Sequence, residues 1–161
     1  MRRTTLLVIL AALAAAAPSQ ARDRPATTGS WATVNLCDTA AHPNQIGIRG
    51  SMPGLKRKSR MTMRFRVQYL DDGRWRFIRT GADSGQQPVA VAKGGQHDSG
   101  WTFEFKPPAS GGAHVLRGFV QFEWRRGGRV LQRDRVTTQP GHPGTAGADP
   151  EDFSAKTCEI A

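Results

Sequence analysis

The chain has 161 residues and carries 23 Lys and Arg against 13 Asp and Glu, a formal charge of +10. That excess draws the protein toward polyanions through its long-range field. Its two cysteines are too few and too far apart for a cysteine-rich metal module, and no segment beyond the N-terminus approaches a membrane span.

The first residues read as an export signal. Met1-Arg2-Arg3 is a basic start, Leu6 to Ala17 is an unbroken apolar run, and Pro18-Ser19-Gln20-Ala21 places small residues where a signal peptidase would cut after Ala21. An apolar run of 12 residues is short for a retained helical span, which favours cleavage. Cleavage would remove Arg2 and Arg3 and leave a mature charge of +8 on about 140 residues, enough for one domain with a real core. Residues 1–21 are therefore expected to be a signal peptide, 22–30 a polar leader, and 31–161 a single domain. Cys37 and Cys158 have 120 residues between them. In an oxidising compartment an isolated even pair is most simply a disulfide, and closing so long a loop is worth roughly 5 kcal/mol in the chain-entropy account.

From Trp31 to Cys37 the chain alternates, with Ala32, Val34 and Leu36 on one face. DTAAHPNQ then reads as a loop, IGIRG as a short strand, and SMPGLKRKS as turn-rich. The clearest signal is Arg60 to Leu70, where Met61, Met63, Phe65, Val67 and Tyr69 alternate with Arg60, Thr62, Arg64, Arg66 and Gln68. A period of two is a strand with one buried side; a helix would scatter these residues around its axis. Asp71-Asp72-Gly73 turns the chain into RWRFIR, and the expected hairpin has Trp75 and Phe77 on the buried face and Arg74 and Arg76 outside. PVAVAK is an expected edge strand with its Pro at the start, GGQHDSG a turn, and WTFEFK another strand. His114 to Arg125 carries Leu116, Gly118, Val120, Phe122 and Trp124 on one side. Arg126-Gly127-Gly128 then turns it into a second arm, Arg129 to Thr137. QPGHPGTAGADPEDF reads as a long loop in which Asp149-Pro150-Glu151-Asp152 could open one helical turn. SAKTCEI reads as a terminal strand held against the first strand by its cysteine.

Seven to nine short strands without helical periodicity predict an all-β fold, and the one-sided alternation favours a two-sheet antiparallel sandwich over a small barrel. The chain resembles, loosely, secreted immunoglobulin-like or fibronectin-type modules. Through blocks such as VNLCDTAAHPNQIGIRGSMPG and GADPEDFSAKTC it is similar to small uncharacterised exported proteins of high-GC bacteria. The resemblance spans most of residues 31–160 and implies no activity. It departs from antibody domains, because the cysteine pair spans nearly the whole domain instead of bracketing a central Trp, so a core bridge between the sheets is not implied.

Catalytic chemistry has little footing. His42, His97, His114 and His142 lack zinc-ligand spacing, and His97-Asp98 is the one adjacent His and carboxylate. Ser51, Ser59, Ser84 and Ser99 lack a nucleophile elbow, Asp71 and Asp72 are explained by the turn, and Glu151 and Asp152 are too close in sequence for a glycosidase pair. No catalytic residue, metal or cofactor is expected. The basic residues carry the remaining signal. Arg64, Arg66, Arg74 and Arg76 are expected to face outward together as an anion-binding set, with Lys56-Arg57-Lys58 leading into the same unit. Arg117, Arg125, Arg126, Arg129, Arg133 and Arg135 form a second basic group. The competing explanation is ordinary solvent-facing charge that keeps sheet edges from aggregating. The aromatics are expected on the apolar sides, so a stacking platform for nucleic acid is not. The sequence thus favours a secreted or envelope-located binding or structural module whose partner is an acidic envelope polymer or another envelope protein. The alternative is an extracellular enzyme or inhibitor with a loop-built site at His97 or His42.

Overall fold

The computed structural model describes residues 29–109 and 111–161. The expected signal peptide and nearly all of the leader lie outside these residues. Among them every regular element is a strand: β1 (Trp31–Thr39), β2 (His42–Pro53), β3 (Ser59–Asp71), β4 (Arg74–Phe77), β5 (Gln87–Ala92), β6 (Gln96–Glu104), β7 (His114–Arg126), β8 (Arg129–Thr137) and β9 (Cys158–Ile160).

They form two antiparallel sheets. One has the order β1-β2-β6; the other is built on the central pair β3-β7. Along one edge of β3 lie β5, paired with Ser59–Met63, and β4, paired with Gln68–Asp71. Along the free edge of β7 lie β8 and β9. The expected two-sheet sandwich, of the immunoglobulin-like or fibronectin type, is the observed fold.

The alternation in β3 explains the packing. Met61, Met63, Phe65 and Val67 are fully buried, facing Ala32, Val34, Ile46, Ile48 and Met52 of the other sheet. Each such side chain contributes roughly 1.5–3 kcal/mol on burial, so this one strand supplies a large part of the core. From β7, Leu116, Val120, Phe122 and Trp124 complete it, and Trp124 donates its indole N–H to the carbonyl of Pro53 at 2.8 Å. Gly118 lies where only a hydrogen fits: a Cβ there would be 2.6 Å from Thr138 Cγ2 and 2.9 Å from Ile48.

Several local expectations change. β1 and β2 are joined by a tight turn at residues 40–41, and β2 continues through Ser51 and Met52, both buried. The short IGIRG strand thus becomes one of 12 residues. β6 starts at Gln96, so GGQHDSG is mostly strand. Asp149–Asp152 forms turns and no helix. The segment after β8 lies along the free edge of β1, where Val34 and Ala155 exchange two hydrogen bonds of 3.0 Å and Asp149 N–H donates to Asn35 O at 2.9 Å. It covers an edge that would otherwise be open to strand addition.

The disulfide is present: Cys37 and Cys158 are bonded with Cα atoms 5.3 Å apart. It holds the terminal strand against β1, as expected, while the backbone of that strand pairs with β7, through Leu116↔Cys158 and His114↔Ile160. Because Cys37 belongs to the first sheet, the bridge joins the two sheets, which is what the comparison with antibody domains had argued against assuming.

Candidate anion-binding surfaces

The β3–β4 hairpin turns through Asp72-Gly73, both at positive φ, so Asp71 pairs with Arg74, Leu70 with Trp75, Tyr69 with Arg76 and Gln68 with Phe77. Directly opposed residues share a face of the sheet. Trp75 and Phe77 therefore lie with Gln68, Arg66 and Arg64 on the outer face, while Arg74 and Arg76 lie on the side of Tyr69. This corrects the expected arrangement, in which Trp75 fed the core and Arg64, Arg66, Arg74 and Arg76 faced one way. The structure splits the four into two pairs on opposite faces.

Those on the outer face are already engaged. Arg64 makes a two-point contact with Asp83, Nε donating at 2.8 Å and an Nη lying 2.5 Å from the second oxygen, and Arg66 Nε is 3.5 Å from the same carboxylate. The Arg64 hydrogen bond holds Asp83 below the ordinary carboxylate range, and Asp83 in turn raises the Arg64 guanidinium. Arg66 lies 3.7 Å above the Phe77 ring, Phe77 meets Phe119 edge-on at 5.1 Å, and Arg117 lies 4.2 Å above Trp75. Aromatic rings that the alternation had placed inside thus cover the outside of the sheet with guanidinium groups stacked on them. On the other side Arg76 is 2.5 Å from Asp71. Arg74 alone of the four is exposed without an ion pair among the described residues.

Unpaired positive charge is concentrated elsewhere. The antiparallel order brings the start of β3, the end of β5, the end of β7 and the start of β8 to one pole of the sandwich: Arg60 opposes Val91 on one side and Arg125 on the other, and Arg126 opposes Arg129. The β2–β3 loop joins them, since Gly54 N–H donates to Gly95 O at 2.7 Å and Gly94 N–H to Leu55 O at 2.9 Å. Residues 54–60, 92–97 and 125–131 contain Lys56, Arg57, Lys58, Arg60, Lys93, Arg125, Arg126 and Arg129, and no Asp or Glu. All but Arg125 are exposed, and all but Arg125 lack an ion pair among the described residues. Exposed Val91 sits among them. Sequence reading placed Lys56, Arg57 and Lys58 in one group and Arg125, Arg126 and Arg129 in another, and left Arg60 and Lys93 in neither. Only the strand pairing shows that they form one surface.

The histidines do not converge on a carboxylate. His97 and Asp98 are consecutive in β6 and so point to opposite faces: His97 Nε2 is 3.0 Å from Gly94 O, whereas Asp98 accepts from the Ser51 hydroxyl. His142 stacks on Trp31 with ring centroids 4.1 Å apart, and burial there lowers its pKa from the ordinary value. Among the described residues no group of three His, Cys, Asp or Glu could hold a metal ion, and no helix is long and apolar enough to cross a membrane. No protein-family model, curated protein or solved structure matches the chain.

Proposed function

We propose that the protein is an exported, non-enzymatic binding module that holds an acidic polymer of the cell envelope through this basic pole. The observation that carries the reading is the set of seven exposed cations without a carboxylate partner among the described residues, drawn from loops and strand ends whose segments contain no acidic residue. A folded chain gains nothing from gathering like charges, which repel one another at the strand pairs Arg60–Arg125 and Arg126–Arg129. A polyanion reverses the sign of that interaction and releases its own counterions on binding. Compare the strand arginines: Arg64 and Arg66 share the carboxylate of Asp83, which offsets one of their two charges, and Arg76 pairs with Asp71, so they add less to an external field.

The export half of the proposal rests on the N-terminal pattern and on the disulfide, a bond that oxidising compartments sustain. It sets the mature start at Arg22.

The test is a titration of the mature protein against poly(glycerol phosphate) at several salt concentrations. A site engaging six or more charges should lose on the order of 10³-fold in affinity between about 50 and 200 mM salt. Binding that is absent at low salt, or insensitive to salt, contradicts the proposal.

A further inference from the structure

Between the β7–β8 turn and the start of β3 lies an open hollow of about 320 Å³, lined by Arg60, Arg125, Arg126, Gly127 and Gly128. Three arginine residues therefore border one small volume: Arg60 and Arg125, directly opposed on β3 and β7, share a face of the sheet, and Arg126 follows at the strand end. Only one is compensated: Arg125 Nε lies 3.0 Å from Glu123 Oε1, and that carboxylate also accepts from Arg133 at 2.7 Å. Even this contact is incomplete, because Arg125 Nε is buried and its N–H is not directed at the carboxylate as a hydrogen bond requires. Gly127 and Gly128, at φ of 52° and 78°, make the two-residue turn that matches the twist of a hairpin. Their N–H groups make no hydrogen bond to the described residues, and no side chain projects from them over the hollow.

We propose that this hollow binds a phosphate group. The inference rests on the polyanion reading and names the chemical group it grips. The two oxygens of a carboxylate lie in one plane and direct their lone pairs within it. A tetrahedral phosphate, even as a diester with two anionic oxygens, directs its acceptors out of a single plane, so it can accept from forks arriving from two strands and from turn amides at once. Its negative charge also offsets part of the repulsion within the Arg60, Arg125 and Arg126 set. The phosphate could belong to a wall polymer or to a lipid headgroup, because the recognised chemistry is the same.

The experiment follows backbone amide resonances of the full mature protein during titration with inorganic phosphate, and with sodium chloride at matched ionic strength. Saturable shifts at Gly127 and Gly128 are expected with phosphate and not with chloride. In the double variant Arg60→Gln and Arg126→Gln, which alters two exposed side chains without ion pairs, the phosphate affinity should fall about tenfold or more, the loss of charge-assisted hydrogen bonds. Equal, non-saturating shifts with both salts would overturn the hollow. Should the native protein then still hold poly(glycerol phosphate) in the salt-sensitive manner above, the basic pole stands and only the phosphate site falls. Failure of both removes both. Two further arms separate the sources: poly(glycerol phosphate), and vesicles containing phosphatidylglycerol. The double variant should lose affinity for whichever of these the native protein binds, and undiminished binding by the variant contradicts the proposal.

Discussion

Arg66 lies over the ring of Phe77, its guanidinium carbon 3.7 Å from the ring centroid. The contact places Phe77 outside the sandwich and commits Arg66 to it, with Phe119 meeting Phe77 edge-on and Asp83, shared with Arg64, offsetting part of the charge. These arginines therefore support the fold of the β3–β4 hairpin. Arg66→Gln should lower stability by about 0.5–1 kcal/mol, as for a partly exposed cation–π pair. Phe77→Ala should cost more, because it also uncovers Phe119. Urea unfolding midpoints test both, and midpoints equal to that of the native protein would mean that the stack contributes nothing.

The bridge between Cys37 and Cys158 joins the two sheets across a sequence separation of 121 residues. Replacing both cysteines by serine should lower the unfolding free energy by about 4–5 kcal/mol, mostly by freeing the unfolded chain. The double variant guards against the reactivity of a lone thiol. A loss under about 1 kcal/mol would show that the sheets and the covering segment of residues 138–157 are held without it.

Gly118 faces Ile48 and Thr138 with no room for a methyl group. Gly118→Ala should destabilise by about 1–3 kcal/mol, the usual cost of overpacking. Gly127→Ala meets no neighbour within 4 Å and is opposed only by its φ of 52°, so its cost should be nearer 1 kcal/mol. Reversal of that order in thermal or chemical unfolding would contradict the packing described.

His142 ties the same covering segment to the fold by stacking on Trp31. Burial lowers its pKa in the folded state, so the unfolded chain takes up the proton first. As pH falls through the ordinary imidazole value of about 6.5, stability should decline, levelling off once the folded-state pKa is passed. His142→Phe keeps an aromatic ring and removes the proton. The stability of the native protein relative to this variant should fall as the pH drops below about 7. Parallel pH profiles would exclude His142 as the source.

Much of the fold was legible because burial imposes a period on the sequence. Met61, Met63, Phe65 and Val67 announce a strand and its inner face, and Gly127-Gly128 announces a turn. Trp75 and Phe77 were misplaced because alternation separates two faces without saying which is inside. The missing information was the turn length: with Asp72-Gly73 as a two-residue turn, counting back pairs Phe77 with Gln68, on the polar side of β3. β2 was read too short because Ser51 and Pro53 look like turn residues, as do Pro43 and Asn44 at its start. Yet Ser51 is buried and hydrogen-bonded to Asp98, and Gly50 is packed beside Met63. The basic pole could not be read at all. Its cations come from segments up to about 70 residues apart, and only the pairing of β5 with β3, β3 with β7 and β7 with β8 brings them together.

The most direct measurement compares two quadruple variants in binding poly(glycerol phosphate) at low salt. One replaces Lys56, Arg57, Lys58 and Arg126 at the pole by Gln; the other replaces Arg64, Arg66, Arg74 and Arg76. Both lose the same formal charge, so the long-range attraction set by net charge falls equally. The pole variant should bind at least about tenfold more weakly than the strand variant, with a shallower dependence on salt, since fewer counterions are released. Equal losses would contradict the account and reduce the attraction to total charge. A greater loss in the strand variant would move the site to the β3–β4 hairpin.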